Sequence, residues 1–351
     1  MKLIHAVFCT LILGNSYASP VKITGTVEQS LKTTNSQALA NNHIKPIKKI
    51  KLLKVELNNQ FRENLIAEVN HPKVIKQNSK AAAAKDLGMG NVPVLDQGMH
   101  GTCVTFANTA AIDAAMEKGH YLSQLCQLQL GNYLAQHGYT LSGWDGSWGK
   151  TVLNQMTTFG MVSLENQRAS GCAGLKEYPI NDFQGTEASM SPEEYHAISD
   201  DLSLYVHWSS ILDVDQLDDE DLDKNAILEQ VKKSLNEGDR LTFGVLLTDL
   251  DQGTVGAVAS NKALNDTWAL TPQIIEHLYD NPDFGGHEMI IIGYDNAIAK
   301  DSEGHTYKGL LHLRNSWGTS IGDKGDFYMS YAYFKTLALE VSRIRTYKDE
   351  K

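Results

Sequence analysis

The chain has 351 residues, long enough for a large globular domain and more. Its hydrophobic content of 42% predicts a real core and excludes wholesale disorder. A formal net charge of −11 argues against nucleic acid as a main partner, because phosphate binding favours a basic surface.

Residues 1–18 read as an export signal. Lys2 supplies a positive start, Leu3 to Leu13 is mostly apolar but too short to span a bilayer, and Ser16-Tyr17-Ala18 places small residues for cleavage after Ala18. No later stretch has the length and apolarity of a membrane span, so the expectation is a secreted or periplasmic protein with no membrane attachment after signal removal. Of the four cysteines, Cys9 would leave with the signal. Cys103, Cys126 and Cys172 would remain, an odd number in an oxidising compartment, which leaves one thiol without an internal partner.

Residues 19–85 carry 12 Lys/Arg against 4 Asp/Glu, and residues 86–351 carry 18 against 38. Opposite fields of that size predict that the two parts touch. The first reads as an inhibitory propeptide lying on its own acidic domain, with a merely basic, partly ordered arm as the alternative. Ala81 to Asp86 reads as a helix-prone connector broken by Leu87-Gly88-Met89-Gly90, which sets the domain boundary.

Beyond the boundary, Thr102 to Lys118 predicts a helix with Thr102 as N-cap, a small apolar face and Gly119 as its end. Further helices are predicted near Gln124–His137, Gly149–Phe159 and Ala226–Asn236. The acidic run Asp213 to Asp223 reads as solvated and helix-capping; the spacing of a calcium loop is missing. Short apolar runs at Leu241–Leu247, Glu288–Tyr294, Leu310–Asn315 and Asp326–Ser330 predict strands. Helices first and strands afterwards predict an α+β protein of two subdomains, one helical and one mostly antiparallel.

Three segments carry chemistry. In Gln97-Gly98-Met99-His100-Gly101-Thr102-Cys103 the thiol sits at the first turn of a predicted helix, where free N–H groups and the dipole favour a thiolate. The Gln97 amide is placed to help stabilise an oxyanion. Gly286-His287 opens a strand, and Asn315-Ser316-Trp317-Gly318 closes one; an Asn can fix the tautomer of a His, and a Trp can shield that bond from water.

Together these motifs resemble the papain-like cysteine peptidases, the family of papain and the cathepsins. The likeness covers residues 90 to 335. It includes Gly293-Tyr294, Gly322, Gly325 and Phe327-Tyr328, Tyr121-Leu122-Ser123, Tyr178-Pro179 and the Gly-rich stretch Gly143 to Gly149. The resemblance implies a two-lobed fold, a helical lobe plus an antiparallel β-barrel-like lobe, with the active site between them. It implies Cys103 as nucleophile, His287 as base, Asn315 as its orienter, Gln97 and the Cys103 N–H as oxyanion hole, and Trp317 as cover. Gly143, Trp144, Gly146 and Gly286 would line the substrate cleft. A peptide or protein would be the substrate, with no cofactor and no metal, in a monomer made as a zymogen. Cys126 and Cys172, left over in the helical part, are expected to form a disulfide.

The departures are specific. Val104 stands where the family usually has Trp, and His100 where it has a disulfide Cys. His287 and Asn315 lie farther downstream of Cys103 than the usual ~130–150 residues. Insertions are therefore expected at about 180–283 and 296–308, forming a lid or reshaping the subsites. The alternatives are a non-catalytic binding or effector module of the same fold, or an acyltransferase or deamidase using the same Cys–His pair.

Overall fold

The computed structural model describes residues 19–32, 47–70, 82–247, 254–255, 266–279, 284–301 and 304–347. The expected export signal, residues 1–18, lies outside them. Among the described residues no helix is long and apolar enough to cross a membrane.

The basic segment is built as strand, strand and helix. Strands β1 (Val21–Lys32) and β2 (Ile47–Leu57) form an antiparallel hairpin, and helix α1 (Asn59–Asn70) follows directly. The alternation of Val21, Ile23 and of Ile50, Leu52 with polar neighbours gives each strand a face to bury. Asn58 starts α1 by accepting the Phe61 N–H at 2.7 Å, and Phe61 and Leu65 anchor it in the core. A short strand β3 (Ala84–Asp86) lies where a helix-prone connector was expected. Pairing with a long strand overrides alanine's helical preference there.

The helical lobe contains α2 (Cys103–Met116), α3 (Gln124–Gln136), α4 (Gly149–Phe159), α5 (Leu164–Ser170) and α6 (Pro192–His196). Helix α2 is buried from Cys103 through Ala114, not on one face only. Ala107, Ala110, Ala111 and Ala114 give it a slim profile that passes between the sheet and the other helices. Thr102 makes no capping bond; its hydroxyl is engaged with the Tyr178 hydroxyl at 2.9 Å. The helix stops at Glu117, in the left-handed conformation with φ 58°, ahead of the expected Gly119. Ser123 caps α3 by accepting from the Cys126 N–H. Cys126 is joined to Cys172 as a disulfide, as the residues left over had suggested, and Cys103 is free and buried.

The sheet lobe contains β4 (Val206–Leu212), β5 (Arg240–Leu247), β6 (Thr254–Val255), β7 (Thr267–Trp268), β8 (Phe284–Lys300), β9 (Thr306–Arg314), β10 (Asp326–Ser330) and β11 (Ala338–Thr346). Helices α7 (Lys224–Glu237), α8 (Pro272–Tyr279) and α9 (Tyr331–Leu337) pack on it. The strands run in the order β4-β11-β5-β8-β9-β10-β7-β6, antiparallel except for β10 with β7. Among the described residues no pairing joins the two ends of that path into the closed barrel-like lobe that was expected. The acidic run acts as capping: Asp223 accepts from the N–H groups of Asn225 and Ala226 at the start of α7.

Strand β8 organises the centre. Along one side it pairs with β5 from Gly285 to Ile291. On the other it pairs with β9, but only from Ile290 onward. The stretch from Phe284 to Gly286 would therefore be a bare edge on that side. It is filled by β2, with Leu53 opposite Gly286, Lys54 opposite Gly285 and Val55 opposite Phe284.

Candidate active site

The cleft between the lobes is set by three backbone features: the turn into α2, the start of β8, and the end of β9. Cys103 is the first residue of α2, where the helix leaves N–H groups unpaired. The Glu288 N–H also points at its sulfur. His287 is the fourth residue of β8, and Asn315 directly follows β9. Because β8 and β9 are neighbours, with Ile290 opposite Arg314, the two side chains meet: His287 Nε2 lies 2.8 Å from Asn315 Oδ1. Trp317 stacks on the imidazole, with centroids 4.5 Å apart and planes at 26°. Both rings are buried, so the His–Asn bond is shielded from water.

Gln97 is held from both sides. Its N–H donates to Ser316 O at 2.9 Å, its side-chain Oε1 accepts from the Ser316 hydroxyl at 2.7 Å, and its carbonyl accepts from the Tyr178 hydroxyl at 2.8 Å. The Gln97 loop is thus tied to the segment that carries Asn315. With Oε1 occupied, Nε2 is turned outward as a donor, to His100 O at 2.9 Å and Lys51 O at 3.4 Å. Of the residues expected in the cleft wall, Gly143 begins a 3₁₀ turn with φ 86° and Trp144 stacks on Tyr178. Gly146 and Gly286 face each other across Leu53: a Cβ on Gly146 would collide with the Leu53 side chain, and one on Gly286 would meet Val55 Cγ1 at 3.0 Å and Leu53 Cβ at 3.3 Å.

The basic segment therefore lies in the cleft. Besides Lys51 and Leu53, Thr26 Cγ2 sits 2.5 Å from where a Cβ on Gly101 would be. Lys48 Nζ bonds Trp317 O at 2.8 Å and Asp96 at 2.5 Å. The contact is narrower in charge than the composition implied. Lys48–Asp96 joins a base of the segment to an acid of the domain, whereas Glu68–Lys224 has the opposite polarity. Backbone pairing and apolar packing by Ile50, Leu52, Leu53 and Val55 are joined by polar contacts of Asn58 with Asp218 and of Arg62 and Asn70 with Tyr279, and by Lys51 over the Phe183 ring.

Covering the cleft fixes the protonation of both reactive groups. Burial pushes the Cys103 thiol up to about 12 and pulls the His287 imidazole down to about 4, because each charged form has lost its water. Thiol and imidazole are both neutral at pH 7 in this state. His287 Nδ1 has no hydrogen-bond partner, which leaves that nitrogen available to a proton.

Sequence reasoning missed three groups here. His100, standing in the place of a disulfide Cys, packs edge-on against Trp144, Tyr178 and Phe183 and bonds Pro179 O at 2.5 Å, so it ties the Gln97 loop to the 178–183 loop in another way. Trp268 stacks on Phe327 and abuts Trp317 edge-on, extending the aromatic floor under His287. Glu288 and Glu340 are both buried behind Cys103, held by the Asn108 amide and the Gly149 N–H respectively. Burial and mutual repulsion raise the Glu288 carboxyl far above the usual range, and burial raises Glu340 to about 7. A lone acid in the apolar run after His287 was the available signal for this pair. Among the described residues no group of three or more His, Cys, Asp or Glu could hold a metal ion.

No protein-family model and no curated protein matches the chain. Among solved structures it is similar to xylellain, a cysteine protease from Xylella fastidiosa, at 18% identity over 82% of this chain and 90% of that one, with a TM-score of 0.48. It is similar to digestive procathepsin L 3 of Tenebrio molitor larval midgut at 16% identity, covering 81% and 78%, TM-score 0.45. The bromelain protease of Ananas comosus, solved with the E64 inhibitor, aligns at 18% identity over 76% and 99%, TM-score 0.45.

Proposed function

We propose that the chain is a papain-like cysteine peptidase, exported and made as a zymogen, whose residues 19–85 act as its own inhibitor. The observation that carries this reading is the buried His287–Asn315 bond under Trp317, together with a free, buried cysteine at the first turn of α2, a helix that packs on β8. A fixed imidazole with one nitrogen held and the other free is what a thiol nucleophile requires.

Once the hairpin leaves, water reaches both groups, the thiol proton passes to His287 Nδ1, and an ion pair forms. The Cys103 thiolate attacks the substrate carbonyl carbon. The oxygen that becomes negative accepts hydrogen bonds from Gln97 Nε2, now released from Lys51 O, and from the Cys103 N–H. The His287 imidazolium protonates the leaving amine as the C–N bond breaks. Water, deprotonated by His287, then attacks the thioester and frees the acid and the thiol. Asn315 Oδ1 holds the ring throughout. The edge of β8 at Phe284–Gly286 that β2 occupies is where an extended peptide would add as a strand. Helices α6 to α8, strands β4 to β7 and the facing ends of β8 and β9 fall within the regions 180–283 and 296–308 expected as insertions, and are proposed to shape the ends of that cleft.

The test is hydrolysis of a denatured protein such as casein by the chain after limited proteolysis within residues 19–85. The reading expects activity that Cys103→Ala abolishes and His287→Ala reduces by about 10³-fold or more. Processed, natively folded protein that cleaves nothing, or whose activity survives Cys103→Ala, overturns it.

A further inference from the structure

Helix α4 carries a second feature that the catalytic reading does not use. Thr151, Asn154, Gln155 and Thr158 recur at positions i, i+3, i+4 and i+7, which places them on one face, while Val152, Leu153 and Met156 are buried. The outer members Thr151, Asn154 and Thr158 carry only neutral hydroxyl and amide groups where an exposed stripe ordinarily carries Lys and Glu, and Gln155 lies buried beneath them. With Tyr133, Tyr139 and Phe159 they line an open cavity of about 590 Å³ on the helical lobe. It shares no lining residue with Gln97, Cys103, His287 or Asn315.

The floor of the cavity is held and its rim is open. Gln155 is only 5% exposed, and its Oε1 accepts from both Gln127 Nε2 at 3.0 Å and the Ser142 hydroxyl at 3.2 Å. Its Nε2 has no hydrogen-bond partner and almost no accessible surface, so Gln155 fixes the floor from behind rather than meeting a ligand. Tyr139 stands 74% exposed at the rim, and Tyr133 is held flat against His137, with centroids 3.9 Å apart and planes at 22°. The cavity thus offers aromatic faces beside a field of neutral donors and acceptors. Glu193 is its one charged lining residue, so nothing there attracts an anion, and Leu134 and Pro192 supply too little aliphatic surface for a lipid chain.

We propose that this cavity is a carbohydrate-binding site for a neutral saccharide of about one to two rings, a size suited to pockets of this volume. A sugar ring would lie on Tyr139 with its C–H face, and its hydroxyls would meet Thr151, Asn154 and Thr158. Bound this way, a glycan would hold the protein by its helical lobe and leave the cleft untouched.

The test uses the full chain, with maltose, cellobiose, mannobiose and N,N′-diacetylchitobiose as probes in saturation-transfer NMR and titration calorimetry. At least one disaccharide is expected to bind with a Kd of about 5 mM or tighter. Tyr139→Ala and Asn154→Ala, both at exposed positions, should each weaken that binding at least about fivefold while the thermal transition stays in place. No binding by any of the four up to about 20 mM, or binding unchanged in both variants, overturns the proposal. So does casein binding that is lost in Tyr139→Ala when no sugar binds.

Discussion

At the scale of single residues, the structure fixes which atoms of His287 and Gln97 are engaged, and the proposed mechanism rests on those that are left. Asn315 Oδ1 takes one imidazole nitrogen and Ser316 takes the oxygen of Gln97, so the remaining Nδ1 and Nε2 face their tasks without choice. Replacing Asn315 by Ala should lower kcat/KM of the processed protein by about 10–100-fold, by releasing the ring's tautomer and orientation while the nucleophile survives. Unchanged kcat/KM would remove Asn315 from the mechanism. The carboxylates behind the cysteine make a different prediction. Glu340 titrates near 7 in the folded chain, against an ordinary 4.5, so the native state binds the proton more tightly than the unfolded one. Stability from this group is therefore full below pH about 4.5 and is lost as pH rises through about 7. Glu340→Gln keeps an acceptor for the Gly149 N–H and removes the ionisation, so the fall in melting temperature between pH 5 and 8 should flatten. An unaltered slope would show that the pair does not carry it. The meeting of His287 with Asn315, the start of a helix at Cys103 and the tie of Gln97 to Ser316 fall in short, ordered motifs that could be singled out from sequence. Glu340 was not, because nothing near it in the chain hints at its partner 52 positions earlier.

At the scale of elements, the two decisive contacts are β8 with β9 and β8 with β2. The first aligns His287 with Asn315; the second fills the cleft. The β-hairpin was hidden from a reading based on charge, since counting Lys and Arg over 19–85 averages away the alternation of Val21-Lys22-Ile23-Thr24 and of Lys49-Ile50-Lys51-Leu52. Likewise Ala84–Asp86 has the local preference of a helix but sits beside an unfilled stretch of β8, and the sheet decides. Leu53 is the side chain on which the cover depends most, being 4% exposed and clamped between Gly146 and Gly286. Leu53→Ala should cost the docked hairpin about 2–5 kcal/mol, the range for a large-to-small change in a packed site. The readout is the rate at which a thiol reagent reaches Cys103 in the intact chain, which should rise; a rate equal to that of the parent chain would mean that the hairpin is not the barrier.

At the scale of the molecule, an acidic two-lobed domain is closed by its own basic segment, yet the closure is mainly apolar and strand-like. Lys48–Asp96 is one ion pair against a row of buried aliphatic side chains, so raising ionic strength should do little to uncover the site. Release by salt alone, followed as thiol accessibility from low to about 1 M salt, would show that the long-range charge difference dominates after all. The order of helices before strands was enough to foresee an α+β protein of two lobes. The strand order of the sheet was not legible, because it depends on pairings between strands far apart in the chain.

The most direct test of the central claim, a Cys103–His287 site held shut by residues 19–85, is covalent labelling with a thiol-directed epoxide followed by peptide mass spectrometry. Intact chain, chain cleaved within residues 19–85 and Leu53→Ala chain are compared at pH 7. The account predicts modification at Cys103 that is slow in the intact chain and fast in the other two, and that falls again when His287→Ala is added. Natively folded, cleaved protein that remains unlabelled, or equal rates in all three, would contradict it.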